Sequence, residues 1–129
     1  MNLINVDQLP EPFGHYSHAV AVGGWVFVSG LLPFYQDNTS GKATLAVEPE
    51  KQAEQILQNL EMILLESGTT LNNVAQIRFY VPDVQQRKVL EPLYAAKLGD
   101  HRPARTIVPC GELRDGACFM LDAVAVQPA

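Results

Sequence analysis

An α+β fold, with two amphipathic helices laid on one face of a mixed sheet, is what these 129 residues predict. Three observations carry the prediction. Apolar residues recur at helical spacing in only two places, short β-branched and alternating runs surround them, and the resulting order is β-β-α-β-α-β-β. A sheet covered on one face leaves the other bare, so self-association is expected on packing grounds.

Each element has a local cause. Ala19-Val20-Ala21-Val22 and Trp25 to Gly30 flank Gly23-Gly24, the signature of a tight hairpin. From Leu32 to Glu48 the signals are Pro, Asp, Asn, Ser and Gly, which predict a surface loop. Pro49 suits a first helical position, and Glu50 and Glu54 favour the positive end of a helix dipole. Ala53, Ile56, Leu57, Leu60, Ile63 and Leu64 then form one apolar stripe, closed by Ser67-Gly68. Val74 to Val81 reads as a strand that stops at Pro82-Asp83. Leu90, Leu93, Tyr94 and Leu98 mark a second helix ending at Gly99, with Pro92 making it start late or kink. Thr106 to Val108 is a short strand, Pro109 to Gly116 turns, and Ala117 to Val126 is a long apolar strand.

Composition narrows the class. With 47% hydrophobic and 18% charged residues the chain is an ordinary globular protein, not a disordered one. It is read as a single domain over residues 1–129, without repeat or linker. No apolar run approaches the ~20 residues that span a bilayer. Met1 to Asn5 has neither a basic nor an apolar segment, so no secretory signal is expected. Cys110 and Cys118 are accordingly expected as reduced thiols, packed as small hydrophobes, in a cytoplasmic protein. The net charge of −5, with its nine Lys and Arg scattered, argues against a nucleic-acid surface.

Motifs for metal and nucleotide chemistry are missing. His15, His18 and the two cysteines do not match zinc-ligand spacing, so no metal site is expected. The two histidines flank a turn and are expected to face solvent or cap it. The chain has no Walker loop, nucleophile elbow or dinucleotide fingerprint. The chemistry concentrates in Arg102-Pro103-Ala104-Arg105-Thr106-Ile107-Val108. Arg105 enters an apolar strand, where a cation is costly unless it meets an anion. That anion is either a carboxylate of this chain or the carboxylate of a small ligand. Asp122 shares a strand face with Met120 and Val124, and is either solvent-facing or the partner of a cation such as Arg105. Glu91, just before Pro92, is expected at an exposed helix start, with facing a pocket as the lesser alternative. Ser29-Gly30 either ends a strand or offers a hydroxyl to a ligand.

Taken together, Pro12-Phe13-Gly14-His15-Tyr16-Ser17-His18-Ala19-Val20, Val26 to Pro33, the helix with Ser67-Gly68, Arg102 to Thr106 and Leu121 to Val126 resemble the Rid proteins (the RidA/YjgF family) over nearly the whole chain. The resemblance implies a chorismate-mutase-like α+β fold and a homotrimer, its sheets packed into a central barrel with ligand clefts between subunits. It implies hydrolysis of small reactive imino and enamino acids, of the 2-iminobutanoate and 2-iminopropanoate type, to a 2-oxo acid and ammonia without a cofactor. Arg105 then grips the substrate carboxylate bidentately, and Tyr16 and Ser29 line the cleft. Three positions depart from the family pattern. Met120 stands where deaminating members carry a water-orienting glutamate, and a thioether neither gives nor takes a proton. Ile107 replaces a cysteine but keeps its main-chain groups for a ligand, and Glu91 replaces an asparagine. Glu91, Glu112 and Asp122 are the acids open to proton transfer in place of residue 120. The competing reading is a non-enzymatic binder of small 2-oxo acids; ribonuclease activity, a label attached to the family, fits the acidic charge poorly.

Overall fold

The computed structural model describes residues 1–129. In chain order it contains β1 (Asn2–Ile4), β2 (Ala19–Val22), β3 (Trp25–Leu31), β4 (Phe34–Gln36), β5 (Ala43–Leu45), α1 (Pro49–Glu66), β6 (Val74–Val81), α2 (Arg87–Leu98), β7 (Ala104–Pro109) and β8 (Met120–Val126). Six strands form one sheet in the order β1-β2-β3-β8-β6-β7, and β4 and β5 pair separately. β6 and β7 run parallel and every other neighbouring pair is antiparallel, so the sheet is mixed as predicted.

Gly23 and Gly24 both take positive φ, 58° and 84°, the backbone that a two-residue hairpin between β2 and β3 needs. α1 starts with Pro49 in its first turn and ends at Ser67, whose amide donates to Ile63 O at 3.0 Å. Its stripe of Ile56, Leu60, Ile63 and Leu64 is fully buried against Val26, Ile77, Phe79, Leu121 and Ala125. These strand residues point to one side of the sheet, and both helices lie there.

The opposite side is open. Leu3, Val20, Val22, Trp25, Phe27, Val124 and Val126 are register partners and share that face. Trp25 and Phe27 are each 46% exposed, far more than aromatic side chains at the centre of a sheet usually are.

Expectations for the Leu32–Glu48 loop, α2, the last strand and His18 need correction, and β1 was not foreseen. The loop from Leu32 to Glu48 contains the β4–β5 hairpin, in which Phe34 is buried. β1 pairs with β2 although three residues give no periodic signal. α2 neither starts late nor breaks at Pro92: it runs from Arg87, prefaced by a 3-10 turn that Asp83 caps by accepting from the Gln85 amide at 3.0 Å. The last strand begins at Met120 and not at Ala117: the Cys118 amide donates to Gln52 Oε1 at 2.7 Å instead of to a neighbouring strand. His18 is also not solvent-facing. It is 7% exposed, its Nδ1 accepts from the Val6 amide at 3.0 Å, and its Nε2 therefore donates to Pro10 O at 2.9 Å. That ring pins the segment leading from β1 to β2. Both cysteines are free thiols and partly buried.

Candidate functional site

β7 is an edge strand, and its register with β6 decides where Arg105 points. Arg105 is opposite Ile77 and Ile107 opposite Phe79, so both lie on the helix side of the sheet. The Arg105 guanidinium consequently reaches α2. Its Nη2 donates to Oε1 of Glu91, and its central carbon lies 5.0 Å from the centroid of the Tyr94 ring. Tyr94 is itself braced edge-on by Phe79, with centroids 5.5 Å apart and planes at 87°. A fully buried core ring thus supports a buried tyrosine, which supports the cation. The 14-residue interval from Glu91 to Arg105 is the length of chain needed to finish α2 and enter β7.

A depression opens beside this cation, lined among others by Glu91, Tyr94, Leu98, His101, Arg102 and Arg105. It encloses about 890 Å³ of empty space, counting its open mouth. The Arg105 side chain keeps 27% of its surface exposed there. The Tyr94 hydroxyl is buried without any hydrogen-bond partner, the one such side-chain atom in the chain. Burial raises the Tyr94 phenol above its ordinary value; the charge on Arg105 opposes that shift and Glu91 adds to it. His101 Nε2 donates to Val74 O at 2.8 Å and fixes the turn between α2 and β7.

The other predicted site residues lie elsewhere. Tyr16 and Ser29 line a separate depression with Leu9, Phe13, His18 and Phe34. The Ser29 hydroxyl donates to Ser17 O at 2.6 Å, and the Tyr16 phenol oxygen accepts from the Phe13 amide at 3.3 Å. Met120 faces the open side of the sheet beside Gly30, where a Cβ would come within 3.3 Å of its sulfur. β8 and β6 separate β3 from β7, which is about 14 Å at ordinary strand spacing. One chain therefore unites Arg105 with Glu91 and leaves Tyr16, Ser29 and Met120 apart from them.

Asp122 is not the partner of Arg105. Arg78 clasps it from the neighbouring strand, Nε to Oδ1 at 2.9 Å and Nη2 to Oδ2 at 3.2 Å, and the Tyr80 hydroxyl donates to Oδ2 at 2.8 Å. That carboxylate is spent on structure. Alternation already placed Asp122 on one face with Met120 and Val124, but only the β6–β8 register identifies Arg78 as its partner. Glu112 is exposed in the turn after β7, which leaves Glu91 as the acid in contact with Arg105. Tyr94 was legible in the sequence only as part of a helical stripe.

The family described as endoribonuclease L-PSP matches residues 6–127. The chain belongs to this family, that of the YjgF/RidA (Rid) proteins. A RutC family protein of Aquifex aeolicus is 33% identical to this Rid chain over 129 residues, 98% of this chain and 100% of the relative. RidA from the Antarctic bacterium Psychrobacter sp. PAMC 21119 superposes with a TM-score of 0.88 at 30% identity, covering 98% of this chain and 99% of that one. E. coli TdcF, solved with bound serine, shares the fold at 21% identity with a TM-score of 0.88, covering 99% of this chain and 100% of its own. The resemblance read from Pro12 to Val126 is thereby borne out at the level of family and of the α+β fold.

Proposed function

We propose that this Rid protein hydrolyses small imino and enamino acids, of the 2-iminopropanoate and 2-iminobutanoate type, to 2-oxo acids and ammonia. The observation that carries the reading is Arg105: a half-sheltered guanidinium on a rigid aromatic platform, facing open space, with only one of its donors engaged. Its planar fork suits a carboxylate, and a carboxylate held there fixes C2 of the substrate one bond away.

The chemistry balances with water alone. Water adds to C2 of the protonated imine and gives a carbinolamine. One proton passes from the added, protonated oxygen to nitrogen, the C–N bond breaks, and the departing ammonia takes the remaining hydroxyl proton as the 2-oxo group forms, so that ammonium is released. Positioning lowers the entropic part of this barrier, and charge near C2 lowers the electrostatic part. Met120 takes no share in moving the proton.

The working unit in this reading is a cytoplasmic homotrimer of one-domain chains, residues 1–129 each, with the open sheet faces packed into a barrel. Two features support it. The apolar patch around Trp25 and Phe27 needs cover, and Tyr16, Ser29 and Met120 can share a cleft with Arg105 and the main chain at Ile107 only if a second copy supplies them. A non-enzymatic binder of 2-oxo acids is the competing reading, and one assay separates the two. Generating 2-iminopropanoate enzymatically and following its loss should show acceleration by substoichiometric protein. An unchanged rate at stoichiometric protein excludes deamination.

A further inference from the structure

Glu91 is an unusual neighbour for a residue that is to hold a ligand's carboxylate. A neutral amide at that place would leave Arg105 free to balance one anion. A glutamate already consumes part of the cation: its Oε1 accepts from Nη2 of Arg105. A ligand carboxylate arriving on the remaining donors brings a second negative charge to one guanidinium. Arg102 also lines the depression, but it is exposed, makes no ion pair with Glu91, and its charge is largely screened by water. A ligand that is only an anion is therefore poorly matched to this corner.

A ligand with a cationic nitrogen on C2 is matched. Two acceptors on one guanidinium, each about 2.9 Å from its nitrogen, stand roughly 5 Å apart, so the C2 substituent of a docked carboxylate comes within reach of Glu91. A second feature of the same corner points to a polar ligand. Tyr94, only 8% exposed, lines the depression, and its buried hydroxyl has no partner in the protein. Native proteins rarely leave such a donor unspent.

We infer that Glu91 and Tyr94 make this a zwitterion-reading site. Arg105 takes the carboxylate, the Tyr94 hydroxyl donates to the bound ligand, and Glu91 pairs with a protonated nitrogen on C2, discriminating in favour of iminium or ammonium acids and against 2-oxo acids. The inference rests on the carboxylate role proposed above for Arg105 and adds a specificity to it. It also favours release of the product. The iminium substrate is held by both charges, whereas the 2-oxo acid product, having lost its cationic nitrogen, meets Glu91 as a like charge and departs.

Pyruvate and L-alanine test this, since they share a carbon skeleton and differ in the charge on C2. Calorimetric titration of the wild-type protein, Glu91→Gln, Tyr94→Phe and Arg105→Ala, each checked by circular dichroism, reads the affinities without requiring turnover. Glu91→Gln should strengthen pyruvate binding and weaken alanine binding, shifting their affinity ratio by about tenfold or more. Tyr94→Phe should weaken both. An unchanged ratio in Glu91→Gln overturns the charge discrimination while leaving the Arg105 anchor standing. Failure of the wild-type protein to bind either ligand, or equal binding by Arg105→Ala, overturns the anchor and the discrimination together.

Discussion

Arg105 on the edge strand and Tyr94 on the second helix are stacked, cation over ring, 5.0 Å from guanidinium carbon to centroid. Beneath them Phe79 closes the stack from the core. The arrangement explains how an arginine stays ordered at the rim of a sheet: its aliphatic stem and charge rest on a ring that cannot move without disturbing the core.

Replacing Phe79, which is fully buried, by Ala should therefore do two things. Stability should fall by about 3–5 kcal/mol, the usual effect of emptying an aromatic site in a core. Carboxylate affinity should fall as well, because the Tyr94 platform loses its support. Chemical denaturation and pyruvate titration read the two effects separately.

Tyr94→Phe should behave in the opposite way toward the fold. Its hydroxyl is buried and bonds to nothing in the protein, so removing it sacrifices no hydrogen bond and relieves a desolvated polar group. The melting temperature should stay level or rise. A drop comparable to the loss of a buried hydrogen bond contradicts the absence of a protein partner for that oxygen.

Stability should decline on the alkaline side. The Tyr80 phenol is raised above its ordinary 10.0 chiefly because it donates to Asp122. Tyr94 is raised from 10.0 by burial, and Cys118 from 9.0 by burial and, to a lesser degree, Asp83. Raised folded values mean that all three contributions are complete below the unfolded values. They are lost as pH climbs, because the unfolded chain gives up these protons first. The melting temperature should fall as pH passes 9 to 10, and Tyr80→Phe should flatten part of that slope. A melting curve indifferent to pH across that range is the contrary result.

The open sheet face yields a further expectation. Phe27, 46% exposed at the centre of an apolar patch, should be covered by other copies of the chain. Phe27→Glu places a charge there and should shift the sedimentation profile from trimer to monomer with the chain still folded. A monomeric wild-type protein at micromolar concentration removes the barrel from the account.

What could be read from the sequence tracks the range of the forces involved. α1 and the β2–β3 hairpin are dictated by residues next to one another, Pro49 with Ser67-Gly68 and Gly23-Gly24, and the structure contains both where the pattern put them. The β4–β5 hairpin escaped notice because Pro33, Asp37, Asn38 and Gly41 suggested a loop, while the strands between them have only three residues each. α2 begins earlier than Pro92 suggested because the preceding 3-10 turn already sets its course. At the site, Arg105 was legible as a cation in search of an anion. Which anion was not, since Asp122 and Glu91 are told apart only by strand register and by the chain path from α2 into β7.

The most direct measurement is kcat/KM for 2-iminopropanoate in the wild-type protein, Arg105→Lys and Arg105→Ala. The Arg105–Glu91 pair is partly exposed, with 27% and 43% of the side chains accessible, so its loss should change fold stability by no more than about 1 kcal/mol. Activity should respond far more strongly. We expect Arg105→Ala to lose about 100-fold or more, and Arg105→Lys to recover little of it, because an ammonium cannot reproduce the bidentate grip. Equal kcat/KM in all three proteins, with folding intact, contradicts the claim that this guanidinium holds the substrate.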